Sequence, residues 1–232
     1  MFRISDIINV GRLFFPELCV ACRKEAPIKD EPFCLSCHLE LPFTDHFSNP
    51  DNSFVKHFWG RVNINHGAAL FDFKKEGMIQ KMIHELKYRK KRDVGILLGN
   101  YMGKHMLESP FFTEIDMVIP VPISRIKQSK RGYNQSFLVA EGILKAAGWP
   151  IENNLLVKTK DTGSQTSRSR AQRLDNVSDS FKITNSEKIK GKHVLLVDDV
   201  ITTGATLESC ALMLLGHGAK EISCGTLAIA KN

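Results

Sequence analysis

Apolar residues recur along this chain in two rhythms. Short, nearly continuous Val, Leu and Ile blocks alternate with longer blocks whose apolar positions lie three and four apart. The first rhythm suits buried strands and the second suits helices. AALFDF, residues 68–73, predicts a short strand. In residues 77–91 the helical spacing is carried by Met78, Ile79, Met82, Ile83 and Leu86. Residues 93–107 predict a second helix, with Asp93 as its N-cap. MVIPVP, residues 117–122, predicts a strand cut off by Pro122. Residues 135–148 predict a helix stopped by Gly148 and Pro150. LLVK (155–158), HVLLVDDV (193–200) and EISCGTLAI (221–229) predict strands, and residues 205–219 predict an apolar helix ending at Gly216 and Gly218.

Strands that alternate with helices predict an α/β fold, a parallel sheet flanked by helices. Runs such as Val194 to Val197 suit strands buried on both faces. Two segments break the rhythm. Residues 44–60 are polar with scattered aromatics and predict an irregular connector, with a turn at Asn49-Pro50-Asp51-Asn52. Residues 159–180 are polar and basic, and a loop of that length in a compact domain is usually functional or mobile.

Composition changes the picture little. Of the 232 residues, 43% are hydrophobic and 25% charged, which is ordinary globular usage and excludes a collagen-like or wholly disordered chain. No run approaches the roughly 18 apolar residues of a spanning helix. The first residues, MFRISDIINVGRLFFPELC, lack the small-residue cleavage site of a signal peptide. A cytoplasmic protein without a transmembrane segment is expected. Charge adds more: 32 basic against 25 acidic residues, a formal +7, favours anionic partners without choosing among them.

The cysteines narrow the reading. Cys19, Cys22, Cys34 and Cys37 form two CxxC pairs eleven residues apart, while Cys210 and Cys224 lie in apolar blocks as expected core thiols. In a reducing compartment paired CxxC turns point to one tetrahedral metal ion, with zinc the usual occupant. Four thiolates close the shell, so such a site is structural. His38 is a bystander in this reading. The expected organisation is a zinc-binding module at 1–45, a connector at 46–64 and one larger domain at 65–232.

The second constellation is HVLLVDDVITTGATL, residues 193–207. An apolar strand delivers Asp198 and Asp199 to its carboxyl end, where open α/β sheets bind ligands. Thr202, Thr203, Gly204, Ala205 and Thr206 follow and open a helix. Hydroxyls and N–H groups there form an anion site. Carboxylates beside a phosphate cradle suit a ligand with hydroxyls at one end and phosphate at the other, or a bridging divalent cation. Taken singly, each residue is an ordinary solvated turn residue; the run as a whole is what points to a ligand. LLVDDVITTGAT resembles the signature of the type I phosphoribosyltransferases. That resemblance implies that Asp198 and Asp199 hold the ribose of phosphoribosyl pyrophosphate at the catalytic centre. It also implies that Thr202 to Thr206 hold the 5-phosphate, with magnesium bound alongside.

With the cysteine module in front, the chain resembles the ComF family of competence proteins. Further matching segments are FFPELCVAC, HELKYRKKRD, PVPISRIKQSKRGYNQS and SQTSRSRAQRLDNV. The resemblance implies a type I phosphoribosyltransferase-like domain. It also implies a role in handling incoming single-stranded DNA, a DNA-uptake helicase as partner, and a location at the inner face of the membrane. By position, Ser124, Arg125, Lys130, Arg131 and Asn134 are expected in a pyrophosphate loop. Gln165, Arg170, Arg173 and Asn176 are expected in a flexible loop that closes over the ligand. The run Lys87 to Arg92 reads equally as a solvated helix end or as part of a DNA surface. An active phosphoribosyltransferase of nucleobase or nucleotide metabolism with no DNA role is the alternative, and no segment marks its acceptor.

Overall fold

The computed structural model describes residues 17–73, 76–88, 91–159 and 180–230. Its centre is a four-stranded, all-parallel sheet. The strands are β1 (His66–Phe73), β2 (Met117–Pro120), β5 (His193–Ile201) and β6 (Glu221–Ala230), in the order β1-β6-β5-β2. Two short strands, β3 (Leu156–Lys158) and β4 (Phe181–Ile183), pair antiparallel beside it. The parallel expectation holds, and β3 falls within the strand expected at 155–158; its antiparallel partner β4 is an addition, three residues long and too short to announce itself.

Helices cover both faces. Along β5 the side chains alternate. Leu195 and Val197 enter one core with Met102, Met106, Leu138 and Ile143. Val194 and Leu196 enter a second core with Leu207, Cys210, Ala211 and Leu214. The first core is closed by α3 (Met78–Tyr88), α4 (Arg92–Glu108) and α6 (Gln135–Ala147), and the second by α7 (Ala205–Gly216). Cys210 and Cys224 are fully buried in that second core, as expected.

Two glycines set the spacing on the first face. A Cβ on Gly142 would stand 2.2 Å from the Ile96 carbonyl oxygen, and one on Gly99 would stand 2.1 Å from that of Val139. The α4 and α6 backbones therefore approach more closely than any side chain would allow.

Three local expectations change. Asp93 is not the N-cap of α4; that position is Lys91, and Asp93 sits in the first turn, where its charge suits the helix dipole. The connector contains one helical turn, α2 (Ser53–Lys56), whose first turn is capped by buried Asn52 accepting from Val55 N–H at 3.0 Å. Residues 125–131, expected as a loop, form the helix α5 (Arg125–Arg131). It starts at Ser124, whose hydroxyl accepts from Lys127 N–H at 3.3 Å, and ends at Gly132 with φ of 81°. RIKQSKR has no apolar stripe, so the hydrophobic pattern alone could not reveal a helix there.

The cysteine segment, with its short helix α1 (Leu35–Glu40), shares the first core. Phe33 stands edge-on to Tyr101 at 5.5 Å and to Phe71 at 5.9 Å. Among the described residues no helix is long and apolar enough to cross a membrane.

Candidate functional site

All four sheet strands run the same way, so their carboxyl ends share one edge. Asp198 and Asp199 lie there, near the end of β5, each only partly exposed. The Ser136 hydroxyl, in the first turn of α6, donates to Asp198 Oδ1 at 2.8 Å, and the Asp199 N–H donates to the same oxygen at 2.8 Å. Burial pushes the Asp198 carboxyl up to about 7; the Asp199 charge adds to this, while these hydrogen bonds and Lys87 oppose it.

Lys87 Nζ, from the last turn of α3, lies 2.8 Å from Asp199 Oδ2. The sequence treats Lys87 as one cation in a basic run, yet its side chain belongs to the acidic pair. Arg92 of the same run stands over the Tyr133 ring at 5.8 Å, and Tyr133 donates its hydroxyl proton to the Leu86 carbonyl at 2.7 Å. Lys90 lies outside the described residues.

After β5 the chain turns through residues 202–204 into α7. Thr202, Thr203, Ala205 and Thr206 are exposed, and Gly204 is buried with φ of 74°. A left-handed residue at a helix entrance is the place for glycine. The loop and the acidic pair are adjacent, as the sequence predicts.

On the other side of the edge, the Ser124 side chain is buried and engaged in capping α5. Arg125 and Lys130 are exposed on that helix. Arg131 donates to Gln135 Oε1 at 2.7 Å and stands over the Tyr88 ring at 5.5 Å. Asn134 donates to the Val121 carbonyl at 3.0 Å and caps α6. Gln165, Arg170, Arg173 and Asn176 lie outside the described residues.

The sulfurs of Cys19, Cys22, Cys34 and Cys37 converge, all within 4.8 Å of one another. Cys22 and Cys34 sulfurs are 3.8 Å apart, close to the ~3.8 Å edge of a tetrahedron with ~2.3 Å zinc–sulfur bonds. Burial and the surrounding sulfurs push the Cys37 thiol well up, so a divalent cation is what would let all four ionise together. The donor set therefore fits zinc. His38 faces Glu31 at 2.9 Å.

Comparison with known proteins adds four findings. The phosphoribosyl transferase domain family matches residues 134–232. Competence protein F of Haemophilus influenzae is 30% identical over 223 residues, which are 92% of this chain and 90% of that protein. The DNA utilization protein YhgH of Shigella flexneri is 27% identical over 156 residues, 64% of this chain and 68% of that protein. Among solved structures, the glutamine phosphoribosylpyrophosphate amidotransferase of B. subtilis, complexed with ADP and GMP, is 28% identical. It covers 62% of this chain and 30% of its own, with a TM-score of 0.42.

Proposed function

The chain belongs to the ComF family of competence proteins, and from that membership we propose that it binds Mg-phosphoribosyl pyrophosphate and serves the handling of incoming single-stranded DNA. The observation that carries the ligand reading is the acidic pair at the carboxyl end of β5, followed directly by the exposed threonine loop that opens α7. In this reading Asp198 and Asp199 accept from the ribose hydroxyls. The loop Thr202 to Thr206 donates N–H and hydroxyl protons to the 5-phosphate. Arg125, Lys130 and Arg131 face the pyrophosphate end. Lys87 pairs with Asp199 and offsets negative charge beside a polyanionic ligand. Magnesium, when bound with the ligand, supplies the remaining charge neutralisation.

The four cysteines hold zinc in a closed structural shell, with residues 1–45 as its module, 46–64 as connector and 65–232 as the ligand domain. The DNA role rests on family membership and on the relatives' names. It implies a DNA-uptake helicase as partner and work at the inner face of the membrane. Labelled single-stranded oligonucleotide, followed by fluorescence anisotropy, tests it. Binding that weakens steeply with salt is expected. The absence of binding at low salt would overturn the DNA role.

One feature favours the second reading, an active phosphoribosyltransferase of nucleobase metabolism. A cleft of about 650 Å³ opens beside Ser124 and Arg125, walled by Asn153, Asn154 and Lys158. Amide groups there suit the hydrogen-bonding edge of a base. Pyrophosphate release, screened over bases and oligonucleotides, separates the readings: sustained release with one acceptor supports the transferase, and binding without release supports the first.

A further inference from the structure

Two side chains of the connector reach the backbone of the threonine loop. We propose that His57 and Arg61 are positioning residues that grip two carbonyls of this loop and thereby aim its N–H groups at the ligand. The inference rests on the ligand reading above and adds the device that shapes the phosphate end.

His57 Nε2 lies 3.1 Å from the Thr202 carbonyl oxygen. A carbonyl only accepts, so that nitrogen carries the proton. Arg61 Nη1 donates to the Thr203 carbonyl at 2.9 Å and to the His57 carbonyl at 3.0 Å. Its Nε donates to Glu208 Oε2 at 3.0 Å, and its Nη2 donates to the same oxygen. One guanidinium thus ties together the connector, the loop and the first turn of α7.

Peptide geometry turns this grip into an orientation. Every described peptide bond is trans. In a trans unit the carbonyl of one residue and the N–H of the next point in opposite directions. With the Thr202 and Thr203 carbonyls held toward the connector, the N–H groups of Thr203 and Gly204 face away from it. Buried Phe58 fills the space under Gly204; a Cβ there would meet its ring at 3.4 Å. The loop is therefore braced from below as well as from the side.

Charge points the same way. Glu208 stands in the first turn of α7, where it would repel a phosphate arriving at the helix entrance. Arg61 covers that carboxylate; their side chains are 25% and 16% exposed. Nothing in the motif LLVDDVITTGAT contains this partner, because His57 and Arg61 lie over 140 residues earlier.

The test uses the full-length protein and three ligands: Mg-phosphoribosyl pyrophosphate, ribose 5-phosphate and Mg-pyrophosphate. Arg61→Met should weaken the two ligands that carry a 5-phosphate by roughly tenfold or more. Affinity for pyrophosphate should stay within about twofold, since a local loss does not reach a distant subsite. If Arg61→Met does not fold, Arg61→Lys carries the test. It keeps the charge beside Glu208 but cannot fork to the Thr203 carbonyl, and the same pattern is expected at smaller size. Equal losses for all three ligands, or none, would overturn the inference. Wild-type protein that takes up no ribose 5-phosphate would defeat the ligand reading itself, before any substitution is made.

Discussion

Lys87 Nζ and Asp199 Oδ2 lie 2.8 Å apart, joining the last turn of α3 to the carboxyl end of β5. This pair ties a basic helix end to the acidic centre of the site. Lys87 also holds the Asp198 carboxyl down against burial and the Asp199 charge. Lys87→Met removes that restraint, so the Asp198 carboxyl should rise above about 7. Ligand binding needs the carboxylates ionised. The pH midpoint of Mg-phosphoribosyl pyrophosphate affinity should therefore move upward, read by calorimetry from about pH 6 to about pH 9. An unchanged midpoint would count against the coupling.

The raised Asp198 carboxyl also predicts a stability trend. Its value in the folded chain, about 7, exceeds the ~3.9 of an unfolded aspartate. A raised group gives a contribution that is complete below the unfolded value and is lost as pH climbs through the folded one. The stability lost through Asp198 should thus build up from about pH 4 and be complete above about pH 7. Asp198→Asn should melt at a higher temperature than wild type at about pH 8 and lose the difference near about pH 4. Thermal melts at the two pH values check this.

Removal of one zinc ligand should cost more than a thiol. Cys19 is fully buried in the core that also holds Phe33, Phe71 and Tyr101. Cys19→Ser should release the metal and lower the melting temperature of the whole chain, since the cysteine segment shares that core. Metal analysis of clean wild-type protein should find about one zinc per chain; a value near zero would contradict the reading.

Close packing of α4 on α6 holds Ser136 beside Asp198. Gly142→Ala would place a methyl 2.2 Å from the Ile96 carbonyl oxygen and 2.5 Å from the Asn100 nitrogen. Backbone cannot yield as a flexible side chain can. A loss of about 1–3 kcal/mol in unfolding free energy is expected, measured by denaturant titration.

Legibility in the sequence followed chain distance. Asp198 through Thr206 form one run, so the acidic pair and the loop could be read together. The four cysteines are local too, and their spacing announced the cluster. Lys87, Ser136, His57 and Arg61 join the same site only through folding, and no local pattern marks them. Ser136 reads as an ordinary helix residue and Lys87 as one cation among several. The α5 helix stayed hidden for a different reason: it is polar all round and is held by its caps. The four strands of the parallel sheet and the long helices were legible because their apolar periodicity is the core itself.

The most direct measurement is a calorimetric titration of Mg-phosphoribosyl pyrophosphate into wild type and into the Asp198→Asn, Asp199→Asn double variant. Saturable binding near one ligand per chain is expected for wild type, at about 1:1, with no detectable binding in a folded double variant. Equal affinity in both, or no binding to wild type, would contradict the account.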